Sequence, residues 1–425
     1  MLRIAVIALV IWVFTGGALV AEEKPKADDI SKELAARVQR DTEKYRKGDA
    51  VIKVVDKRGL PVEGASIKAE QLTHDFLFGC NIYRFDRFQT PEDNEKYKQL
   101  FKRVMNYATI AFYWAGFEPE QGKPRYEYAE KVARWCKETG IATKGHPLVW
   151  THEAGVPKWL PEDKPDEVKR LVEERIRAIV PRYKGLIDTW DVVNESTHTR
   201  TFADMSVFDY TSLPVRWAED SNADATLIVN EFGVIGDTKG AGDFFKLLKQ
   251  MKDAGVPYDA IGIQTHMHRR TLPPALILET LDKFAELGKP IHFTETTVLS
   301  GKETNPEEEK KQARYVERFY RVCFSHPAVK AITWWDFSDA GAWQGVAAGL
   351  VRKDMSPKPV YLVLDRLINK EWRTSVEGRT DANGFYTFRG FGGEYRVTVT
   401  TPSGATKTVD FHLAEQEDNA VEVRM

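Results

Sequence analysis

The stretches Thr189-Trp190-Asp191-Val192-Val193-Asn194-Glu195 and Pro290-Ile291-His292-Phe293-Thr294-Glu295 share one pattern, a strand-like run that ends on a glutamate. A carboxyl at the carboxyl end of a buried strand stands where it can meet a second one across the mouth of a barrel. Two such carboxyls, one protonated and one ionised, are the equipment for cutting a bond between two sugars. Either glutamate alone also fits a solvated or salt-bridged loop residue. The pair gains weight from its company, since His146 and Trp150, Gln264 and His266, and Trp335 sit at the ends of three further runs. Trp335 fits either a site wall or the core, whereas Trp190, which starts its run, fits the core.

The elements that must position these residues recur every 30 to 40 or so positions, each followed by a helical pattern. They are Phe76 to Cys80, Tyr107 to Phe112, Ile141 to Trp150, Leu186 to Val193, Thr226 to Glu231, Ala260 to Gln264, Pro290 to Glu295 and Val329 to Trp335. Apolar strands alternating with helices mean a parallel sheet covered on its outer face. Eight units are the number that closes a barrel. The pattern predicts an α/β fold, a (β/α)₈ barrel over residues 73–370, with its clearest helix from Pro306 to Phe324 and Glu307, Glu308 and Glu309 in the first turn. Both flanks read as all-β. Residues 49–72 carry two strand patterns, and residues 371–425 carry the turn Thr380-Asp381-Ala382-Asn383-Gly384 and the alternating run Glu394 to Thr400. A lone strand pair is marginal in water, so the two flanks are expected to join in one discontinuous β-sandwich with the barrel inserted between them. Residues 22–48 read as a linker or a capping helix.

At 425 residues the chain has room for a barrel and a smaller module. With 61 Lys and Arg against 63 Asp and Glu, it has no field favouring nucleic acid or an anionic membrane. A neutral polysaccharide or oligosaccharide is the partner this charge suits, taken by a monomer. Arg3, the apolar run Ile4 to Phe14 and the small residues through Ala21 read as a secretory leader over residues 1–21, making the protein a secreted one. A retained membrane anchor is the alternative, though the run is short for a bilayer span. Cys80, Cys136 and Cys323 are too few and too scattered for a disulfide framework and read as buried apolar cysteines. His266 and His268 form a His-x-His pair, but no third His or Cys stands at ligand spacing, so no metal site is expected.

The ordered set Gly145-His146-Pro147-Leu148-Val149-Trp150, Trp190 to Glu195, Ile261-Gly262-Ile263-Gln264-Thr265-His266, Thr294-Glu295, Trp335-Asp336-Phe337-Ser338-Asp339 with Trp343, and Ser356-Pro357-Lys358-Pro359 resembles glycoside hydrolase family 10. This is the endo-β-1,4-xylanase family, and the likeness is greatest to plant-type members with flanking β segments. The resemblance covers roughly residues 75–370. It implies Glu195 as acid/base and Glu295 as nucleophile, with retention of anomeric configuration on xylan or a xylan-like polysaccharide. It also implies His266 as the group orienting Glu295, and Asn194 as a donor to the sugar 2-hydroxyl. His146, Trp150, Gln264, Trp335 and Trp343 would line the sugar sites, and no metal or organic cofactor is implied. Physically, Glu295 is expected to be held ionised by hydrogen bonds, and Glu195 to be raised by aromatic surroundings and a negative neighbour. The rival readings are a hydrolase of another β-linked glycoside and a carbohydrate-binding protein without catalysis.

The chain departs from the family pattern at the second strand. Where members carry Asn-Glu-x-x-Lys-Trp, which holds sugars on the non-reducing side, this chain has Ile110-Ala111-Phe112-Tyr113-Trp114. Phe112 and Tyr113 either wall the glycone side of the cleft or point into the core. Smaller departures are Thr151 for a His, Glu231-Phe232 for Asp-Tyr, and Thr296-Thr297 for Leu-Asp.

Overall fold

The structure, a computed structural model, describes residues 30–202, 205–268, 270–301 and 305–425. The leader read at residues 1–21 lies outside them. Strands β1 (Lys47–Val55) and β2 (Ser66–Gln71) come first. Eight strands follow: β3 (Leu77–Asn81), β4 (Tyr107–Ala111), β5 (Ala142–His146), β6 (Thr189–Asn194), β7 (Thr226–Glu231), β8 (Ala260–Met267), β9 (Ile291–Val298) and β10 (Val329–Trp334). They pair in chain order, and β10 closes on β3, so the strand–helix alternation yields the closed barrel it predicts. Its strands are apolar on both faces because helices cover the outside and side chains fill the inside. The helix Pro306–Ser325 shows how such a cover starts: Asn305 caps it by accepting from the amides of Glu307 and Glu308, ahead of three acidic residues in the first turn.

Two strand ends differ from the expectation. The third run ends as a strand at His146, because Pro147 offers no N–H to continue the ladder. Nor is Glu295 terminal, since β9 runs on to Val298. What aims Glu295 is an irregularity of register, in which Ile263 pairs with Phe293 but the next residue, Gln264, pairs with Glu295. The extra residue, Thr294, breaks the strict alternation of faces, so that Thr294 and Glu295 both reach Asn230. A second shift lies between Asp191 and Val193 on β6, and it lets Asp191 and Asn194 serve the same side. Below the mouth, Gly145 is required by Trp190: a Cβ there would lie 2.1 Å from the indole, which is fully buried.

The flanks form two sheets, ordered β12-β1-β15 and β11-β2-β13-β14, from β11 (Ser375–Arg379), β12 (Phe385–Phe391), β13 (Gly393–Thr400), β14 (Thr406–Leu413) and β15 (Asp418–Arg424). β1 lies between two C-terminal strands, and β2 likewise between β11 and β13. Their inner faces, including Ile52, Val54, Ile67, Tyr395 and Val397, make a separate apolar core. Residues 32–45 form a helix whose Val38 packs into the barrel's core. All three cysteines are buried and free. Among the described residues no helix is long and apolar enough to cross a membrane.

Arg46 ties the sandwich to the barrel. Its guanidinium is fully buried over the Phe76 and Phe324 rings and donates to the carbonyls of Phe324, His326 and Val329 at 2.5, 2.5 and 2.6 Å. Glu415, from the sandwich, lies 3.6 Å away. Burial lowers the arginine to about 10, still far above neutral pH, so it stays charged. Replacing it with methionine would leave three buried carbonyls without their donor and Glu415 with Lys330 for its cation, and Arg46→Met is expected to lower unfolding free energy by about 3–5 kcal/mol. Urea unfolding checks this; a loss under about 1 kcal/mol would remove Arg46 from that role.

Candidate active site

The two glutamates stand on nearly opposite strands of the barrel and are joined by amides. Glu195 follows β6 directly with φ 61°, an uncommon backbone region for a residue with a side chain. The turn is fixed on both sides, by the Glu195 amide donating to the Asn230 carbonyl at 2.8 Å and by Thr199 donating through its amide and its hydroxyl to the Glu195 carbonyl. Glu231, fully buried at the end of β7, accepts from the amide and hydroxyl of Thr197 at 2.8 and 2.7 Å and so holds the same turn.

From Glu195 the hydrogen bonds run as a chain. Gln264 donates to Glu195 Oε1 at 3.1 Å and to Asn194 Oδ1 at 3.2 Å. Asn230 donates to the same Asn194 oxygen at 2.7 Å and to Glu295 Oε1 at 2.9 Å. Each carboxyl has a further partner, Trp150 Nε1 at 2.9 Å from Glu195 and His266 Nε2 at 3.1 Å from Glu295. His266 is fixed in turn by the Thr297 hydroxyl on Nδ1 at 2.9 Å.

Beneath Glu295 lies a buried charged group. Asp191 Oδ2 is 2.6 Å from Lys144 Nζ and 2.7 Å from His146 Nδ1, and His146 Nε2 lies 3.7 Å from Glu295 Oε1. Lys144 and Asp191 have no exposed surface. These surroundings split the two carboxyls. Burial pushes Glu195 above the usual carboxylate range, and although the Gln264 and Trp150 hydrogen bonds pull it down, the charge of Glu295 adds to the rise. Burial acts on Glu295 in the same direction, but His146, His266 and Lys144 together outweigh it and hold that carboxyl below its ordinary value. Two acids at one mouth are thus driven to opposite sides of the ordinary glutamate range.

Glu195, Glu295, His146, Trp150, Asn194, Gln264, His266, Trp335 and Trp343 all border this mouth. Trp335 meets the rings of Tyr83, His146 and His266 edge-on at 5.7, 5.4 and 5.8 Å, so it is a wall and not core. Trp343 is 45% exposed and packs on His266 and His268. Trp150 stacks on His152 at 4.2 Å. The second-strand aromatics divide between the two readings: Phe112 is buried against Phe117, Tyr183 and Trp190, while Tyr113 borders the cleft beside His146 and Trp150. The sequence reading missed Asn230, Lys144 and Asp191 as site residues, although each is a polar residue inside an otherwise apolar run. It also missed Asp336, whose carboxyl is raised to about 6 by burial and holds the Trp343 amide at 3.1 Å. Among the described residues no cluster of three or more His, Cys, Asp or Glu could hold a metal ion.

The family model for glycosyl hydrolase family 10 matches residues 66–366, and the chain belongs to that family. It is 31% identical over 362 residues to anti-sigma-I factor RsgI6 of Acetivibrio thermocellus, covering 84% of this chain and 45% of that protein. Endo-1,4-beta-xylanase 1 of Arabidopsis thaliana is 28% identical over 394 residues, covering 90% of this chain and 40% of the relative. The chain therefore spans less than half the length of both. Among solved structures, xylanase 10B from Thermotoga petrophila RKU-1 in complex with xylobiose is similar with 29% identity and a TM-score of 0.62, covering 70% of this chain and 95% of that one.

Asn230 is the amide on which both ends of the chain depend. Asn230→Ala removes a hydrogen bond to an ionised group, worth about 1.5–3 kcal/mol, so kcat/KM on any cleaved glycoside is expected to fall roughly 10- to 100-fold. The acid limb of the pH–rate profile should move to higher pH, because Glu295 loses a donor that favours its charged form. An unchanged rate and limb would show that the amide chain is not part of the site.

Proposed function

We propose that the protein is a secreted retaining β-glycoside hydrolase that cleaves xylan or a xylan-like polysaccharide by double displacement, as an endo-1,4-β-xylanase. The observation that carries this reading is the pair of carboxyls at one barrel mouth with pKa values driven in opposite directions. Glu295, ionised, attacks the anomeric carbon while Glu195, protonated, gives its proton to the departing glycosidic oxygen. The glycosyl-enzyme ester then breaks as Glu195, now a base, takes a proton from water and the water oxygen bonds to the same carbon. Glu295 leaves as carboxylate, and two inversions give net retention.

The surrounding groups suit these steps. Asn194 accepts two hydrogen bonds through Oδ1, which turns its NH₂ group toward a substrate hydroxyl, where a bond to the 2-hydroxyl strengthens as positive charge develops. Trp335 and Trp343 offer apolar faces to sugar C–H surfaces. Xylan is favoured as substrate by the xylanases among the relatives. Action outside the cytoplasm rests on the leader-type pattern of residues 3–21. Recognition of carbohydrate without turnover is the second reading, raised because one relative carries a name, anti-sigma-I factor, that states no enzymatic activity.

Four measurements separate these. Early products of xylo-oligosaccharide cleavage, observed by NMR, should carry the β configuration. Glu295→Ala should lose turnover and regain part of it with azide or formate. Glu195→Ala should slow cleavage of unactivated polysaccharide by about 10²- to 10⁴-fold, the usual contribution of a general acid, while aryl glycosides with good leaving groups still load onto the enzyme. The wild-type profile should be a bell, rising as Glu295 ionises at low pH and falling as Glu195 loses its proton at higher pH. α-Configured first products would overturn retention, and absence of turnover on every β-linked glycan would leave the binding reading.

A further inference from the structure

The cleft is unequal about the two carboxyls. One cavity of about 350 Å³ is bordered by both glutamates; a second, of about 590 Å³, shares Glu195 but not Glu295 and extends past Phe232, Asp237 and Arg270. On the mechanism proposed above, on which this inference rests, the sugar attacked by Glu295 occupies the first cavity. The leaving sugar, protonated by Glu195, lies toward the second. The smaller space therefore serves the glycone, and its volume is at the low end for a ligand site.

The far end of that space is where two loops meet. The loop after β3 carries Arg84, whose guanidinium lies over the Phe88 ring at 5.2 Å and donates to the Arg87 carbonyl at 3.3 Å. Its other side rests on Gly341, in the loop after β10, where a Cβ would lie 3.2 Å from the guanidinium carbon. Gly341 has φ +80°, a left-handed position that suits glycine. The wall is anchored. Tyr128 donates to the carbonyls of Tyr83 and Phe85 at 3.1 and 2.9 Å, and the Asn94 side chain makes two hydrogen bonds with the Phe88 backbone. Inside it, the Tyr83 and Tyr113 hydroxyls approach to 3.5 Å, and Tyr113 follows β4, where the family resemblance leads one to expect polar sugar-binding groups.

We propose that the Arg84–Gly341 contact, backed by the Tyr83–Tyr113 pair, closes the cleft on the glycone side, so that the protein takes short glycones from non-reducing ends and leaves the aglycone side open to long chains. This keeps the bond and the retaining chemistry proposed above but moves the cut from mid-chain, the endo mode, to near the chain end. The substrate class is then a β-linked oligosaccharide or polysaccharide presented end-on, and the products are short sugars released from the non-reducing end. Pre-formed walls of this kind set specificity by exclusion, since a chain continuing past the attacked sugar meets backbone and a held guanidinium.

The test uses three β-1,4-linked xylohexaoses: uncapped, capped with a bulky ether on the terminal 4-hydroxyl of the non-reducing end, and capped with a bulky aglycone at the reducing end. The full chain should cleave the uncapped and reducing-end-capped forms at similar rates, close to the non-reducing end, and the non-reducing-end-capped form at least tenfold more slowly. Arg84→Ala should narrow that gap and move cuts toward the middle of the chain. Calorimetry with Glu295→Gln reads the same asymmetry as affinity without needing turnover, so asymmetric binding with no cleavage by the wild type would uphold the closed end and overturn the catalytic reading. Equal treatment of the two capped forms, cuts in the middle by the wild type, or no binding and no cleavage of any hexaose would each overturn the closed end.

Discussion

The site depends on a line of amides, Gln264, Asn194 and Asn230, that couples two carboxyls whose pKa values are driven in opposite directions. Carboxyls at one barrel mouth repel each other when both are charged, and burial alone raises both. What separates them is the unequal distribution of donors and positive charge. His146, His266 and the buried Lys144 gather on the Glu295 side, while Glu195 receives two neutral donors and the field of its partner. The amides fix each oxygen without carrying net charge, so they position the pair and leave the split to the charged groups. Such preorganisation is effective because nothing has to reorient during the reaction.

The barrel makes this possible through departures from its own regularity. A uniform strand turns alternate residues to opposite faces, and consecutive residues could not both reach Asn230. The extra residue at Thr294 and the shift within β6 release that constraint at two places, both beside the glutamates. The left-handed backbone of Glu195 does the same at the strand end, and Glu231 holds the turn that fixes it. Farther away, Arg46 bonds the first residue of β10, at the end of that strand opposite the site, and ties the paired flanks to the barrel there.

Much of this was legible in the residue pattern because period and alternation report burial directly. Eight apolar runs with helical partners suffice to specify the barrel, and strand signals at both ends that were not self-sufficient pointed to a joint module. The glutamates stood out since ionisable residues at the ends of apolar runs need a reason. Lys144, Asp191 and Asn230 lay inside such runs, where a single polar residue has meaning only once its partner across the barrel is known. Phe112 and Tyr113, just past the end of β4, show the limit of adjacency: consecutive residues turn opposite ways, and only the fold decides which of them enters the cleft. Arg84 and Gly341, 257 positions apart in the chain, meet through barrel closure and have no local signature.

The roles proposed for the pair turn on Glu295 titrating below Glu195. NMR titration of the side-chain carboxyl carbons in ¹³C-glutamate-labelled protein, with the two signals assigned by Glu195→Gln and Glu295→Gln, measures this directly. The account predicts that Glu295 titrates below the ordinary glutamate value of 4.5 and Glu195 above it, and that Glu195 moves down when Glu295 is made neutral. Coincident titrations, or a higher value for Glu295 than for Glu195, would contradict it.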